Sequence, residues 1–137
     1  MLVNDVSVEA HTIGLWDSIA DSARKMRVES VGCLVVVNSG KVVGLISERD
    51  IALGCPVEGH NPWDCKVYKH MKIQSATVSP RMNTSMVTIA MMDHDTDCMP
   101  VVDNGKLVGV VMSEDIAAAN ERQFAYDSEV FSLAGAD

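Results

Sequence analysis

The sequence predicts an α/β sandwich made of two copies of one β-α-β-β-α unit, packed sheet to sheet about a pseudo-twofold axis. The first observation behind this is a repeat. Residues 31–52 align with 96–117 at a constant offset of 65, without a gap, and ten of the 22 pairs are identical: Cys33/Cys98, Val36/Val101, Val37/Val102, Gly40/Gly105, Lys41/Lys106, Val43/Val108, Gly44/Gly109, Asp50/Asp115, Ile51/Ile116 and Ala52/Ala117. A duplicated unit buries its apolar face against its own copy and leaves paired grooves where matching backbone ends converge. The second observation is that both strands of each expected hairpin are apolar nearly throughout rather than alternating, which predicts a sheet covered on both faces by helices. The third is size: 137 residues, 47% hydrophobic, suit one core shared by two half-size units and are too few for two independent ones.

Each element follows from local pattern. After a short strand around Thr12-Ile13, Asp17 or Ser18 can cap a helix whose Ile19, Ala23 and Met26 share one face, with Asp21, Arg24 and Lys25 elsewhere. Cys33 to Val37, the turn Asn38-Ser39-Gly40-Lys41 and Val42 to Ile46 read as a β-hairpin, because β-branched strands flank Asn and Gly residues that tolerate positive φ. Ser47 is placed to cap the helix that follows. Gly54 to Lys66, with two prolines and two glycines, reads as a linker. In the second copy Thr77-Val78 is the first strand, a helix carries Met86, Met91 and Met92 as core or interface filling, and the hairpin is Met99 to Val102, Asp103-Asn104-Gly105-Lys106 and Leu107 to Met112. Ser113 to about Ala134 carries Ile116, Ala119, Phe124 and Val130-Phe131 among charged residues and predicts a longer terminal helix. The organisation expected is one globular module: a first repeat over 1–65, including linker 54–65, a second over 66–130, and a tail over 131–137.

The charge balance narrows the function. Eleven basic against nineteen acidic residues give a net charge of −8, with the basic residues scattered, which disfavours nucleic acid and anionic membranes as partners. The longest apolar runs, such as Cys33 to Val37, are far short of a membrane span, and the start lacks the basic-then-apolar pattern of a secretory signal, so a cytoplasmic location is expected. The four cysteines, at 33, 55, 65 and 98, have no C-x-x-C spacing, and two fall at equivalent strand positions, which suits buried thiols in a reducing compartment. Cys55, His60 and Cys65 form a C-x4-H-x4-C pattern in the linker. Without an obvious fourth ligand it is assigned no metal, and a metal sensor or small enzyme built on it is the least favoured reading. His94 amid Asp93, Asp95 and Asp97 reads as a solvated acidic turn. Neither an activated nucleophile nor a paired acid and base is visible, so no catalytic residue is assigned.

The chemistry-bearing string is Gly44-Leu45-Ile46-Ser47-Glu48-Arg49-Asp50, a strand end running into a helix start. Free backbone N–H groups and the helix dipole attract anions there, a hydroxyl can serve an oxygen, and a first-turn carboxylate can accept two hydrogen bonds from a vicinal diol. A ribose phosphate offers that diol and that anion, and Arg49 would supply positive charge. The string Val36-Val37-Asn38-Ser39-Gly40-Lys41-Val42-Val43-Gly44-Leu45-Ile46-Ser47-Glu48-Arg49-Asp50-Ile51, its counterpart from Met99 to Ile116, and the His70-Met71 pair before the second copy together resemble the cystathionine-β-synthase (CBS) domain pair, or Bateman module. The resemblance covers nearly the whole chain.

It implies a regulatory module that holds an adenosyl compound, such as AMP, ADP, ATP, an NAD-type molecule or S-adenosylmethionine, between the repeats, with no obligatory cofactor. By the family's pattern Asp50 and Asp115 take the ribose hydroxyls and Ser47 occupies the hydroxyl position. Thr12, Ile13, Cys33 and Leu34, with Thr77, Val78, Cys98, Met99 and Pro100 in the second copy, hold the adenine. The second copy departs from the first: Met112 stands at the hydroxyl position and Glu114 at the basic one, and Asp93 to Asp97 is acidic. Clustered carboxylates oppose a polyphosphate, so two unequal clefts are expected, one of them suited to an adenosine phosphate. The reading is a stand-alone adenosyl-sensing module, homodimeric, acting in trans on an unknown regulated protein. The alternative is a structural dimerisation or interaction module with degenerate clefts.

Overall fold

The computed structural model describes residues 1–73 and 76–133, the side chains of 129–133 excepted. In chain order it contains α1 (Val3–Val6), β1 (Thr12–Gly14), α2 (Ile19–Glu29), β2 (Cys33–Asn38), β3 (Lys41–Ser47), α3 (Glu48–Leu53), a single 3-10 turn (Val67–Lys69), β4 (Lys72–Ile73), α4 (Thr84–Asp93), β5 (Cys98–Asp103), β6 (Lys106–Met112) and α5 (Ser113–Leu133). The last four positions of the expected tail lie outside the described residues.

The two hairpins are copies in register as well as in sequence. Cys33 pairs with Ser47 and Cys98 with Met112, and each ladder slips at the same place, between Val36 and Val37 and between Val101 and Val102. At the turns Ser39 and Gly40 have φ of 51° and 78°, and Asn104 and Gly105 have 51° and 77°. Two successive positive φ values match the right-handed twist of the strands, and glycine at the second position adopts them without Cβ crowding.

The first sheet has the order β1-β2-β3-β4, with β1 parallel to β2 and β4 antiparallel to β3. In the second, β5 and β6 are flanked by single bridges, Val78 to Val101 and Val8 to Val110, which reduce the same outer strands to one contact each. Along β2 the side chains alternate between two apolar environments. Leu34 and Val36 join Ile13, Ile19, Met26 and Val67 beneath the helices, whereas Val35 meets Leu45, Cys98 and Val110 where the sheets face each other. Helices therefore cover only one face of each sheet, not both as the apolar strands had suggested, and the opposite sheet covers the other. Both faces are dry, and that is why the strands read as uninterrupted apolar runs.

The halves also exchange their leading segments. Val3 is fully buried with Val78, Val87, Met99 and Val111, and its N–H donates to the Met82 carbonyl at 2.9 Å. Val67 lies in the first half's core, its N–H on the Asp17 carbonyl at 2.9 Å. Each half is thus completed by chain that precedes the other.

Two helices need comment. Ser18 caps α2 by accepting from Asp21 N at 3.0 Å, but the buried face is Ile19, Ser22 and Met26. Ala23 points outward and Ser22 takes its place, its Oγ donating to the Ser18 carbonyl at 3.2 Å. On α4 Met91 fills the core, while Met86, Ile89 and Met92 form an outward stripe that is 59%, 60% and 77% exposed.

Candidate functional site

The two strand-to-helix junctions open onto one cleft of about 1250 Å³. Ser47, Glu48, Arg49 and Asp50 line one side and Met112, Ser113 and Glu114 the other, with Cys33 and Asp97 between them at the strand entrances. Thr88, Met91 and Met92 of α4 add an apolar flank, and Glu58, Lys69, His70 and Lys72 close the end nearest the linker.

The first junction is stiffened by its own side chains. Ser47 N and Ser47 Oγ each donate to Asp50 Oδ2 at 2.9 Å, and Asp50 N donates back to Ser47 Oγ at 3.2 Å. This reciprocal capping box fixes the carboxylate at the cleft wall through Oδ2 and leaves Oδ1 outside the cap's bonds. α3 has only six residues, so its dipole is small, and the pull on an anion falls to the side chains Arg49, Lys69 and Lys72. The second junction starts a helix of 21 residues, but Met112 brings no oxygen and Glu114 brings the opposite charge. Six acidic side chains line the cleft (Glu48, Asp50, Glu58, Asp95, Asp97, Glu114) against three basic ones. One of these, Lys72, already donates to the Asp95 carbonyl at 3.0 Å.

At the base of the cleft Cys33 sits against Cys98, its pseudo-symmetric equivalent. The hydrogen bond to Cys98, then burial, then the charges of Cys98, Asp97 and Asp50 push the Cys33 thiol far above its ordinary value. It stays a protonated, inert thiol, in keeping with a packing role.

Of the positions singled out in the sequence, Cys33, Ser47, Arg49 and Asp50 line this cleft together. Ile13, Leu34, Val78, Cys98, Met99 and Pro100 are buried. Thr12 is half-buried with its carbonyl accepting from Lys25 Nζ, and Thr77 is exposed. Asp115 is half-buried and outside the lining, so the two aspartates are not equivalent in what they face. Lys69, Lys72, Thr88 and the wall made by Met91 and Met92 were missed. The α4 methionines were the available signal, since side chains at i and i+1 on a core helix leave one outside.

The chain matches the CBS-domain family model over residues 4–54 and again over 67–122. It is 32% identical over 102 residues to an uncharacterized protein of Methanopyrus kandleri, covering 73% of this chain and only 52% of that one, so it spans about half the length of that relative. The CBS domain-containing protein YhcV of Bacillus subtilis is 28% identical over 112 residues, covering 82% of this chain and 79% of its own. A CBS domain pair solved in complex with 5′-methylthioadenosine and S-adenosyl-L-methionine superposes with a TM-score of 0.76 at 26% identity, covering 90% of this chain and 98% of that one.

Proposed function

This chain belongs to the CBS-domain family, with two copies in tandem, and on that premise we propose that it is a regulatory module that binds an adenosyl ligand in the cleft between its two strand-to-helix junctions. The observation that carries the reading is the convergence of Ser47, Arg49 and Asp50 on one cleft with the matching junction of the second copy. Asp50 Oδ1 accepts the ribose hydroxyls, Cys33 and the backbone at the strand entrance flank the base, and Arg49 and Lys69 meet whatever anion the ligand carries.

The excess of carboxylates selects among adenosyl compounds. It favours a ligand of low negative charge, such as methylthioadenosine, S-adenosylmethionine or AMP, over ATP. The solved relative that holds 5′-methylthioadenosine and S-adenosyl-L-methionine supports this choice. The module signals by differential affinity: a ligand that touches both junctions favours the arrangement of the two halves that brings them closest, and the output is limited by that preference. The outward stripe of Met86, Ile89 and Met92 on α4 supports a homodimer, in which Met92→Glu would give a monomer in sedimentation.

Calorimetric titration of methylthioadenosine, S-adenosylmethionine, AMP and ATP into the protein and into Asp50→Asn tests the site. Asparagine keeps an acceptor for the cap but weakens diol recognition, so affinity should fall by about tenfold with little change in stability. Equal affinities for the two proteins would remove Asp50 from the site. No binding by any of the four would favour a structural association module, the reading that Met112 and Glu114 support.

A further inference from the structure

The linker folds four potential metal ligands into one place. Cys55, His60, Cys65 and His70 recur at a constant spacing of five, C-x4-H-x4-C-x4-H, across a segment that breaks α3 and returns to the first core. Between Gly54 and Lys66 the only buried side chains are Cys55 and Cys65, while Val57 and Trp63 lie in solvent. Tight turns bring the ligands round. Glu58 N donates to the Gly54 carbonyl, His60 N to the Cys55 carbonyl and Cys65 N to the Asn61 carbonyl, each at 3.1 Å. Ile19 N then holds the Cys65 carbonyl at 2.8 Å, and His70 N closes the 3-10 turn on the Val67 carbonyl at 3.0 Å.

The result is a cluster in which the donor atoms of His60, Cys65 and His70 all lie within 4.8 Å of one another, with Cys65 Sγ and His70 Nε2 2.9 Å apart. The Cys55 thiol lies against Cys65 and against the His60 carbonyl, its Sγ 3.2 Å from that oxygen. Glu58 Oε2 is 3.2 Å from His60 Nδ1 and 3.9 Å from His70 Nε2. His70 is 5% exposed, and its ring packs so closely on Gly54 that a Cβ there would collide with it. The cluster is therefore buried on the thiol side and open to solvent at His60 and Glu58.

From this geometry we infer that the linker is a binding site for a borderline-soft divalent cation of the Zn²⁺ class, with His60, Cys65 and His70 as ligands, Cys55 as the fourth, and Glu58 orienting His60. Two thiolates and two imidazoles are the donor set that such an ion takes in tetrahedral geometry, and a carboxylate on a ligating imidazole is the usual outer partner. Two ligands on such an ion stand about 3.6 Å apart, close to the spacing that the donor atoms of His60, Cys65 and His70, all within 4.8 Å of one another, already have. Burial, the hydrogen bond with Cys65 and the charges of Cys65 and Glu58 push the Cys55 thiol up. Binding then forms two metal–sulfur and two metal–nitrogen bonds and releases two protons to solvent, and affinity rises with pH. The second copy lacks the set: at the same offset Asn120, Ala125 and Val130 stand where Cys55, His60 and Cys65 do, and the chain continues there as helix.

The test is a titration of Zn²⁺ into the chelator-stripped, thiol-reduced protein, with metal content read by elemental analysis and the ligand set by Co²⁺ absorption. One ion per chain, a thiolate-to-Co²⁺ charge-transfer band, and release of two protons are expected. His60→Ala, whose side chain is exposed and dispensable for packing, should weaken binding by about 100-fold and Glu58→Gln by about tenfold. Cys55→Ser should weaken it by at least tenfold. Binding to the His60→Ala protein that equals the parent, less than one ion per chain at saturation, or a Cys55–Cys65 disulfide in freshly isolated protein would each overturn the inference.

Discussion

The junctions that end the two hairpins share a backbone and differ in chemistry. Cys33 to Ser47 and Cys98 to Met112 have the same register and the same bulge. Yet the first continues into six helical residues held by a Ser47–Asp50 capping box and then breaks into a turn-rich linker. The second continues as a helix of 21 residues that begins with Met112, Ser113 and Glu114. Duplication fixed the strands, which both halves need for a shared core, and left the helix starts free to diverge because they face the cleft. Ser47, Arg49 and Asp50 of the first copy accordingly line the cleft together, whereas the matching junction of the second copy brings Met112, Ser113 and Glu114 to it.

The sharpest way to break this comparison is to ask whether the halves are separable at all. Val3 belongs by sequence to the first copy and by packing to the second, fully buried among Val78, Val87 and Met99. Val3→Asp places an unpaired carboxylate in that core and should cost more than about 3 kcal/mol. Both tryptophans, Trp16 and Trp63, lie in the first half and report on it alone. In urea denaturation the Trp fluorescence transition should move to lower urea together with the circular dichroism transition. A first half that keeps its midpoint would show two independent cores.

A smaller effect sharpens the same point. Ser47→Met turns the first junction into the second and removes the side-chain oxygen that accepts from Asp50 N, at a cost of about 1 kcal/mol. The reverse change, Met112→Ser, offers Asp115 N an acceptor at the matching position and should recover stability of the same order. Thermal unfolding of the two single variants and the double exchange measures this. Shifts of equal sign would mean that the junctions are not interchangeable and that Met112 is held by packing rather than by descent.

What was legible in the sequence follows the same division. The hairpins, their turns and the Ser47 cap were open to reading because strand apolarity, Ser-Gly and Asn-Gly turns, and a serine before a helix start are local patterns with local causes, whereas the return bonds from Ser47 to Asp50 came only with the structure. The exchange of leading segments was not, because Val3 and Val67 lie in short segments that nothing in the chain assigns to one core or the other. The α2 face was misplaced by one residue: spacings of three and four between Ile19 and Met26 admit either Ser22 or Ala23, and the hydroxyl's bond to Ser18 O lets serine take the buried place. His70 was read as part of the entry to the second copy. It also stands five residues beyond Cys65, on the spacing that separates Cys55, His60 and Cys65.

The mildest change tests charge alone. Arg49 and Glu114 occupy equivalent positions, both exposed and both lining the cleft, so Glu114→Arg makes the second junction as basic as the first without disturbing the core. Reversing one charge in a solvent-accessible cleft is worth about 0.5–1 kcal/mol to a nearby anion, or about two- to fivefold in affinity. AMP and ATP should therefore bind more tightly, ATP gaining more because it carries more charge, while methylthioadenosine, which has no phosphate, should bind as before. The gain should shrink in high salt, since the groups are exposed. Measured by calorimetry at two ionic strengths, an increase shared equally by all three ligands would show that position 114 acts through packing or helix stability. In that case the divergence of the two junctions would not be what sets the ligand's charge.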